Sequence, residues 1–130
     1  MTKLVIFDLD GTLLNTIDDL AMSTNHALRL FGYPEHSLAE YRFFVGNGIT
    51  TLIERALPEE ARQKNLIYQL RKAFIAYYQL HKTDLTQPYP GIPELLTHLN
   101  DQGITLAVAS NKYHQGTIEL IRHFFGEKLF

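Results

Sequence analysis

Asp8 and Asp10 stand two residues apart in the string Val5-Ile6-Phe7-Asp8-Leu9-Asp10-Gly11-Thr12-Leu13, where an apolar run ends. On an extended backbone, side chains at i and i+2 share a face, so both carboxylates project into one small volume while Leu9 turns back toward the core. Two negative charges held that close are costly unless a cation neutralises them or one carboxyl keeps a proton. Hard oxygen donors favour magnesium over softer metals, and a phosphate ester with magnesium would satisfy the pair. A lone Asp-x-Asp is more often an ordinary loop after a strand, with Gly11 serving a turn and Thr12 a cap.

A second polar cluster, Ser110-Asn111-Lys112, ends another apolar run, Ile104 to Ala109, just ahead of a helical pattern. Open parallel sheets bind ligands beyond the carboxyl ends of their strands. A hydroxyl, free amide groups and a helix N-terminus at such a place can all face an anion, which makes a phosphate cradle. Taken alone, the same triplet also describes a helix cap followed by a solvated lysine.

The elements that must position these clusters follow from periodicity. Leu4 to Phe7 is a continuous apolar run of strand formers, as expected for a strand buried on both faces of a parallel sheet. Thr16 with Asp19 forms the pattern of a capping box, and apolar residues at helical spacing continue to Phe31, with Gly32 as the stop. Ser37 with Glu40 predicts a second capping box, and Gly46-Asn47-Gly48 a loop, followed by a short helix from Ile49 to Leu57. One long helix is expected from Pro58 to about Lys82, with Phe74, Tyr77 and Tyr78 packing inside. Gln87-Pro88-Tyr89-Pro90-Gly91 reads as a stiff linker, Pro93 to Gln102 as a helix ended by Gly103, Ile104 to Ala109 as a second buried strand, and His114 to Phe125 as the last helix. The fold class is therefore α/β: a Rossmann-like parallel-sheet core, formed by residues 1–15 and 86–130, with an inserted all-helical cap at 16–85.

Composition narrows the function classes. The 130 residues are 45% apolar, enough for a buried core, and the net charge of -2 comes from interspersed residues with no basic stripe for nucleic acid or membrane. The absence of cysteine excludes disulfides, thiolate zinc sites and a thiol nucleophile. The apolar run near the N-terminus is cut short by Asp8, far below the length of a signal peptide or membrane span, so a cytoplasmic protein is expected. The six histidines, His26 and His114 among them, lack metal-ligand spacing and read as surface or capping residues. Arg42 and Arg55 flank the Gly46–Gly48 loop and read as solvated arginines rather than ligands of a substrate carboxylate.

The order of motifs resembles the haloacid dehalogenase superfamily, phosphoglycolate phosphatase-like branch. Asp8 to Thr12, a helical insert, Tyr89-Pro90-Gly91 before a helix, and Val108-Ala109-Ser110-Asn111-Lys112 occur in that sequence. The resemblance implies that Asp8 attacks phosphorus to give an aspartyl-phosphate, while Asp10 protonates the leaving alkoxide and then deprotonates the hydrolytic water. It implies Mg2+ held by the Asp8 carboxylate and the Asp10 backbone carbonyl, and phosphate oxygens bound by Ser110 and Asn111, with Asn47 as a substrate contact from the cap; Thr12 and Lys112 are further phosphate-binding candidates by their place in the two polar clusters, Lys112 at a position that departs from the family's third motif. A small phosphorylated metabolite is the expected partner, phosphoglycolate being the substrate the resemblance suggests. The family also supplies a further lysine and an acidic pair from later strands, so the chain is expected to be a fragment of a longer phosphatase. Two strands are few for an open sheet, so self-association through exposed edges is expected.

Three alternatives stand beside this one. A sugar-phosphate mutase of the same superfamily would use the same nucleophile, whereas a dehalogenase needs no acid such as Asp10. A receiver-like signalling domain would not suit a long insert directly after Asp10. A non-catalytic subunit would associate through its exposed sheet.

Overall fold

The computed structural model describes residues 2–130. Its chain divides into two compact units, one made of residues 1–15 and 87–130 and the other of residues 16–86.

In the first unit, β1 (Leu4–Phe7) is followed by a short strand β2 (Leu14–Asn15), and the chain returns to this unit only after the helices of the second. In the second unit α1 spans Ile17–Leu30, α2 Leu38–Phe44, α3 Gly48–Ala56 and α4 Lys64–His81. The first unit then resumes with β3 (Gln87–Pro88), α5 (Ile92–Asp101), β4 (Thr105–Val108) and α6 (His114–Phe125). The alternation of apolar strands with amphipathic helices gives a mixed α/β fold, as expected.

β1 pairs with β4 in parallel, in the register Leu4↔Thr105 to Phe7↔Val108. Leu9, Leu13, Leu14, Leu96, Leu106 and Leu120 form the buried core beneath this pair, and Val5 and Phe7 pack against it. Strand alternation sends Leu4 and Ile6 to the opposite face, where they are 51% and 60% exposed. The expectation of burial on both faces is thus corrected: α5 and α6 contribute Leu96 and Leu120 to one face only. Gln87–Pro88, expected as part of a linker, instead pairs antiparallel with Leu14–Asn15. Its two residues carry too little pattern to be read as a strand, and the proline has an edge position that needs no ladder amide.

In the helical unit α4 packs on α1 and α3, and α2 packs on both α1 and α3. Phe74 and Tyr78 are fully buried and stacked at 5.3 Å between ring centroids. Tyr77, expected to pack beside them, is only half-buried and stacks between His26 and His81 at 4.4 and 4.1 Å. The capping box at Ser37 forms as expected, with the Glu40 amide donating to Ser37 Oγ at 3.3 Å and the Ser37 amide to Glu40 Oε1 at 3.1 Å. At Thr16 the side chain makes no cap hydrogen bond, and the buried Asp19 carboxylate accepts hydrogen bonds from Leu85 and Thr86. The long helix expected from Pro58 is also broken. A single 3-10 turn, Glu59–Ala61, is followed by Gln63 in extended geometry (φ -102°, ψ 145°), and α4 begins only at Lys64. The Arg62 guanidinium draws that break back onto the end of α3 by donating to the Leu57 carbonyl at 3.1 Å.

His36 departs from the expected surface role for histidines. Its ring lies between Glu40 Oε2 at 2.8 Å and the Ala56 carbonyl at 2.7 Å, and its backbone exchanges two 3.0 Å hydrogen bonds with the Asn25 amide side chain. Tyr41, fully buried, donates its hydroxyl to the same Asn25 oxygen, and burial pushes its titration well above the ordinary phenol range.

The one-sided core gives a direct test on α5. Leu96→Ala empties a fully buried position and is expected to lower unfolding free energy by about 3 kcal/mol in urea melts, whereas Leu95→Ala, at a 42% exposed position, is expected to cost under about 1 kcal/mol.

Candidate functional site

The turn after β1 is built around one carbonyl. Leu9 O accepts from the amides of Thr12, Leu13 and Leu14 at 3.2, 3.0 and 3.1 Å, and Gly11 N–H donates to Leu14 O at 2.9 Å. Leu9, Leu13 and Leu14 are all fully buried, so this knot is anchored in the core. Gly11 sits at φ +81°, a backbone conformation that a side chain would disfavour. With the apolar members fixed inward, Asp8 and Thr12 are left exposed and Asp10 partly so, the alternation that the sequence implies.

The parallel register sets the second cluster beside the first. Phe7 pairs with Val108, and the next amide along, Ala109 N–H, donates to Phe7 O at 2.8 Å. Asp8 and Ser110 therefore follow the carboxyl ends of two adjacent strands. Lys112 closes the arrangement: its Nζ lies 3.2 Å from Asp10 Oδ1, and its side chain is only 3% exposed. The acidic pair is thus partly compensated by an ammonium group from the other strand end, a contact that no spacing in the sequence discloses.

Local hydrogen bonds orient the polar atoms. Leu9 N–H donates to Asp8 Oδ1 at 2.8 Å, holding one carboxylate oxygen against the backbone. Lys112 N–H donates to Ser110 Oγ at 3.1 Å. A hydroxyl that accepts in this way keeps its own proton for donation elsewhere. Asn111 and Thr12 are exposed at the same end of the unit. Asn47 belongs to the helical unit, where it is exposed at the N-cap position of α3 between Gly46 and Gly48, and it makes no side-chain cap bond there. Among the described residues no group of three or more His, Cys, Asp or Glu side chains converges as a metal cluster. The described helices include none long and apolar enough to cross a membrane.

Sequence reasoning missed Tyr113 and Gly116. Tyr113 directly follows Lys112 as the N-cap residue of α6, and its ring covers Gly116, where an added Cβ would lie 2.6 Å from Tyr113 Cζ. Glycine near the start of an amphipathic helix, where alanine costs less, was the available signal. Burial, reinforced by Glu119, pushes the Tyr113 hydroxyl up to about 12.

A sequence profile of the haloacid dehalogenase-like hydrolases matches residues 5–130. The chain belongs to that family. It is 36% identical over 135 aligned residues to a phosphoglycolate phosphatase of Aliivibrio fischeri, an alignment covering 96% of this chain and 60% of that protein. It is 34% identical over 122 residues to a phosphoglycolate phosphatase of Cereibacter sphaeroides, covering 92% of this chain and 56% of the relative. Among solved structures, a predicted phosphoglycolate phosphatase from Haemophilus somnus superposes with a TM-score of 0.91 at 32% identity, over 99% of this chain and 60% of that one. CbbY from Rhodobacter sphaeroides, solved in complex with phosphate, shares the fold with a TM-score of 0.79 at 24% identity, over 98% and 59% of the two chains. The chain spans about 60% of the length of the first of these curated relatives.

The Tyr113–Gly116 contact is testable by titration. The raised tyrosine favours its neutral form in the folded protein, so its contribution to stability is present below about pH 10 and lost as pH rises through about 12. Gly116→Ala is expected to lower the melting temperature despite the better helix propensity of alanine, and to return the Tyr113 ultraviolet titration toward that of exposed tyrosines. An unchanged titration curve would show that the ring does not depend on Gly116.

Proposed function

We propose that residues 1–15 and 86–130 are part of the catalytic core of a magnesium-dependent phosphatase, that residues 16–85 are its helical cap, and that the substrate is a small phosphate monoester. The observation that carries this is the meeting of two strand ends, with the Lys112 ammonium on the Asp10 carboxylate beside the exposed Asp8. Family membership and the two phosphatase relatives support it.

In this chemistry Asp8 is the nucleophile. The Leu9 amide engages its Oδ1, which leaves Oδ2 as the attacking oxygen, and attack on phosphorus yields an aspartyl-phosphate as the alkoxide departs. Asp10 gives a proton to that alkoxide and later takes one from the water that cleaves the acyl phosphate. Ser110 donates its hydroxyl proton to a phosphoryl oxygen, Thr12 and the Asn111 amide line the same oxygens, and Lys112 offsets their charge.

The donor atoms fit magnesium in type, because Asp8 and the Asp10 backbone carbonyl are hard oxygens, and magnesium commonly takes one or two carboxylates from protein and completes its shell with water and phosphate. Bound there, the ion would neutralise charge on the transferring phosphoryl group. Asn47 is the cap residue proposed to contact substrate, and phosphoglycolate is the substrate suggested by the relatives. A sugar-phosphate mutase would share every residue named and differ in the acceptor of the phosphate.

The exposure of Leu4 and Ile6 favours one addition: this chain associates with a second copy of itself through the uncovered face and edge of β1. Sedimentation should then show a concentration-dependent dimer that Ile6→Lys abolishes, and a monomer at every concentration would refute it.

The chemistry itself is tested by phosphate release from an aryl phosphate. Because the family draws a further lysine and an acidic pair from later strands, release by the purified chain is expected to be slight, and whatever magnesium-dependent release it shows should be lost in Asp8→Asn, which keeps the shape and removes the nucleophile. Release that survives in Asp8→Asn would assign the nucleophile elsewhere.

A further inference from the structure

Asp19 is an acidic residue that the proposed chemistry does not use, yet it is 2% exposed. It lies in the first turn of α1, at the entry of the helical unit. Its carboxylate collects donors from the exit of the same unit: Leu85 N–H at 3.1 and 3.0 Å from the two oxygens, Thr86 N–H at 2.8 Å and Thr86 Oγ1 at 2.7 Å from Oδ2. Thr16 and Thr86, the first and last residues of the unit, are themselves buried at 2% and 0% exposure.

A carboxylate suits this cluster. Two amides and a hydroxyl converge on it, and a carboxylate is the side chain that offers acceptors alone, with about four lone-pair positions. A helix-dipole role needs merely a negative charge in the first turn, which Asp18 also supplies. It does not need burial or bonds to residues at the far end of the unit.

We propose that Asp19 is a clasp that closes the helical unit, fastening its chain exit at Leu85–Thr86 onto its entry. Fastened, the two ends of the unit are held together. Unfastened, the exit segment peels away by itself while the helices stay packed. The device does not depend on the chemistry proposed for Asp8, so the fate of either leaves the other standing.

Amide hydrogen exchange on the whole chain tests it. Asp19→Asn replaces one acceptor oxygen by an NH2 group that opposes the incoming donors. The amides of Leu85 and Thr86 are expected to exchange faster by about tenfold or more, the factor that corresponds to losing a bond to a charged group. Interior amides of α1 and α4, such as those of Leu28 and Phe74, should keep their rates, and trypsin should cut faster after Lys82, now only 8% exposed. Asp18→Asn should change none of these. Should Asp19→Asn fail to fold, Thr86→Val removes the hydroxyl donor alone and is expected to raise Thr86 exchange several-fold. The proposal is overturned if Asp19→Asn matches Asp18→Asn at the two amides, if exchange rises uniformly through the helical unit, or if Thr86→Val leaves Thr86 exchange unchanged.

Discussion

The pairing of β1 with β4 is the constraint on which the rest depends. These strands come from opposite ends of the chain, and their parallel register fixes Phe7 beside Val108. Everything polar at the candidate site hangs from that one alignment. A slip of one residue would turn every side chain of the strand to the other face and carry Asp8 away from Ser110. The register is held by the core beneath, where Val5 and Phe7 pack against the buried leucine cluster, and by the Leu9 knot immediately beyond the strand.

Bringing such distant segments together costs loop-closure entropy, which grows only slowly with loop length. The helical unit reduces that cost by being compact in its own right. Its exit returns to its entry through Asp19, and the residues just outside it, Asn15 and Gln87, pair in a two-residue ladder. A long insertion can therefore sit between two strands without pulling them apart.

Electrostatics explains why the site is tolerable in a folded chain. Asp8 is exposed and its carboxylate is engaged by a backbone amide, while Asp10, more enclosed, lies against the nearly buried ammonium of Lys112. The charge is distributed between solvent, a backbone dipole and a counter-ion, so the acidic pair does not rely on a single partner. Tyr113 and Gly116 then shape the start of α6 next to this ion pair, the ring lying over the glycine where a Cβ would meet it.

Local pattern in the sequence determined much of this protein. Four consecutive apolar residues marked β1, the Ser37–Glu40 spacing marked the start of α2, and Asp8-Leu9-Asp10-Gly11-Thr12 disclosed which side chains face outward, because alternation and capping act over a few residues. Tertiary structure decided what short-range rules cannot reach. Asp19 has the spacing of a capping residue but its carboxylate accepts from Leu85 and Thr86 at the far end of the unit, and Lys112 finds Asp10 across the sheet. The Pro58–Lys82 helix breaks at Arg62–Gln63, where Arg62 folds back onto the nearby Leu57 carbonyl, and Leu4 and Ile6 stay exposed on the face of β1 turned away from the leucine core.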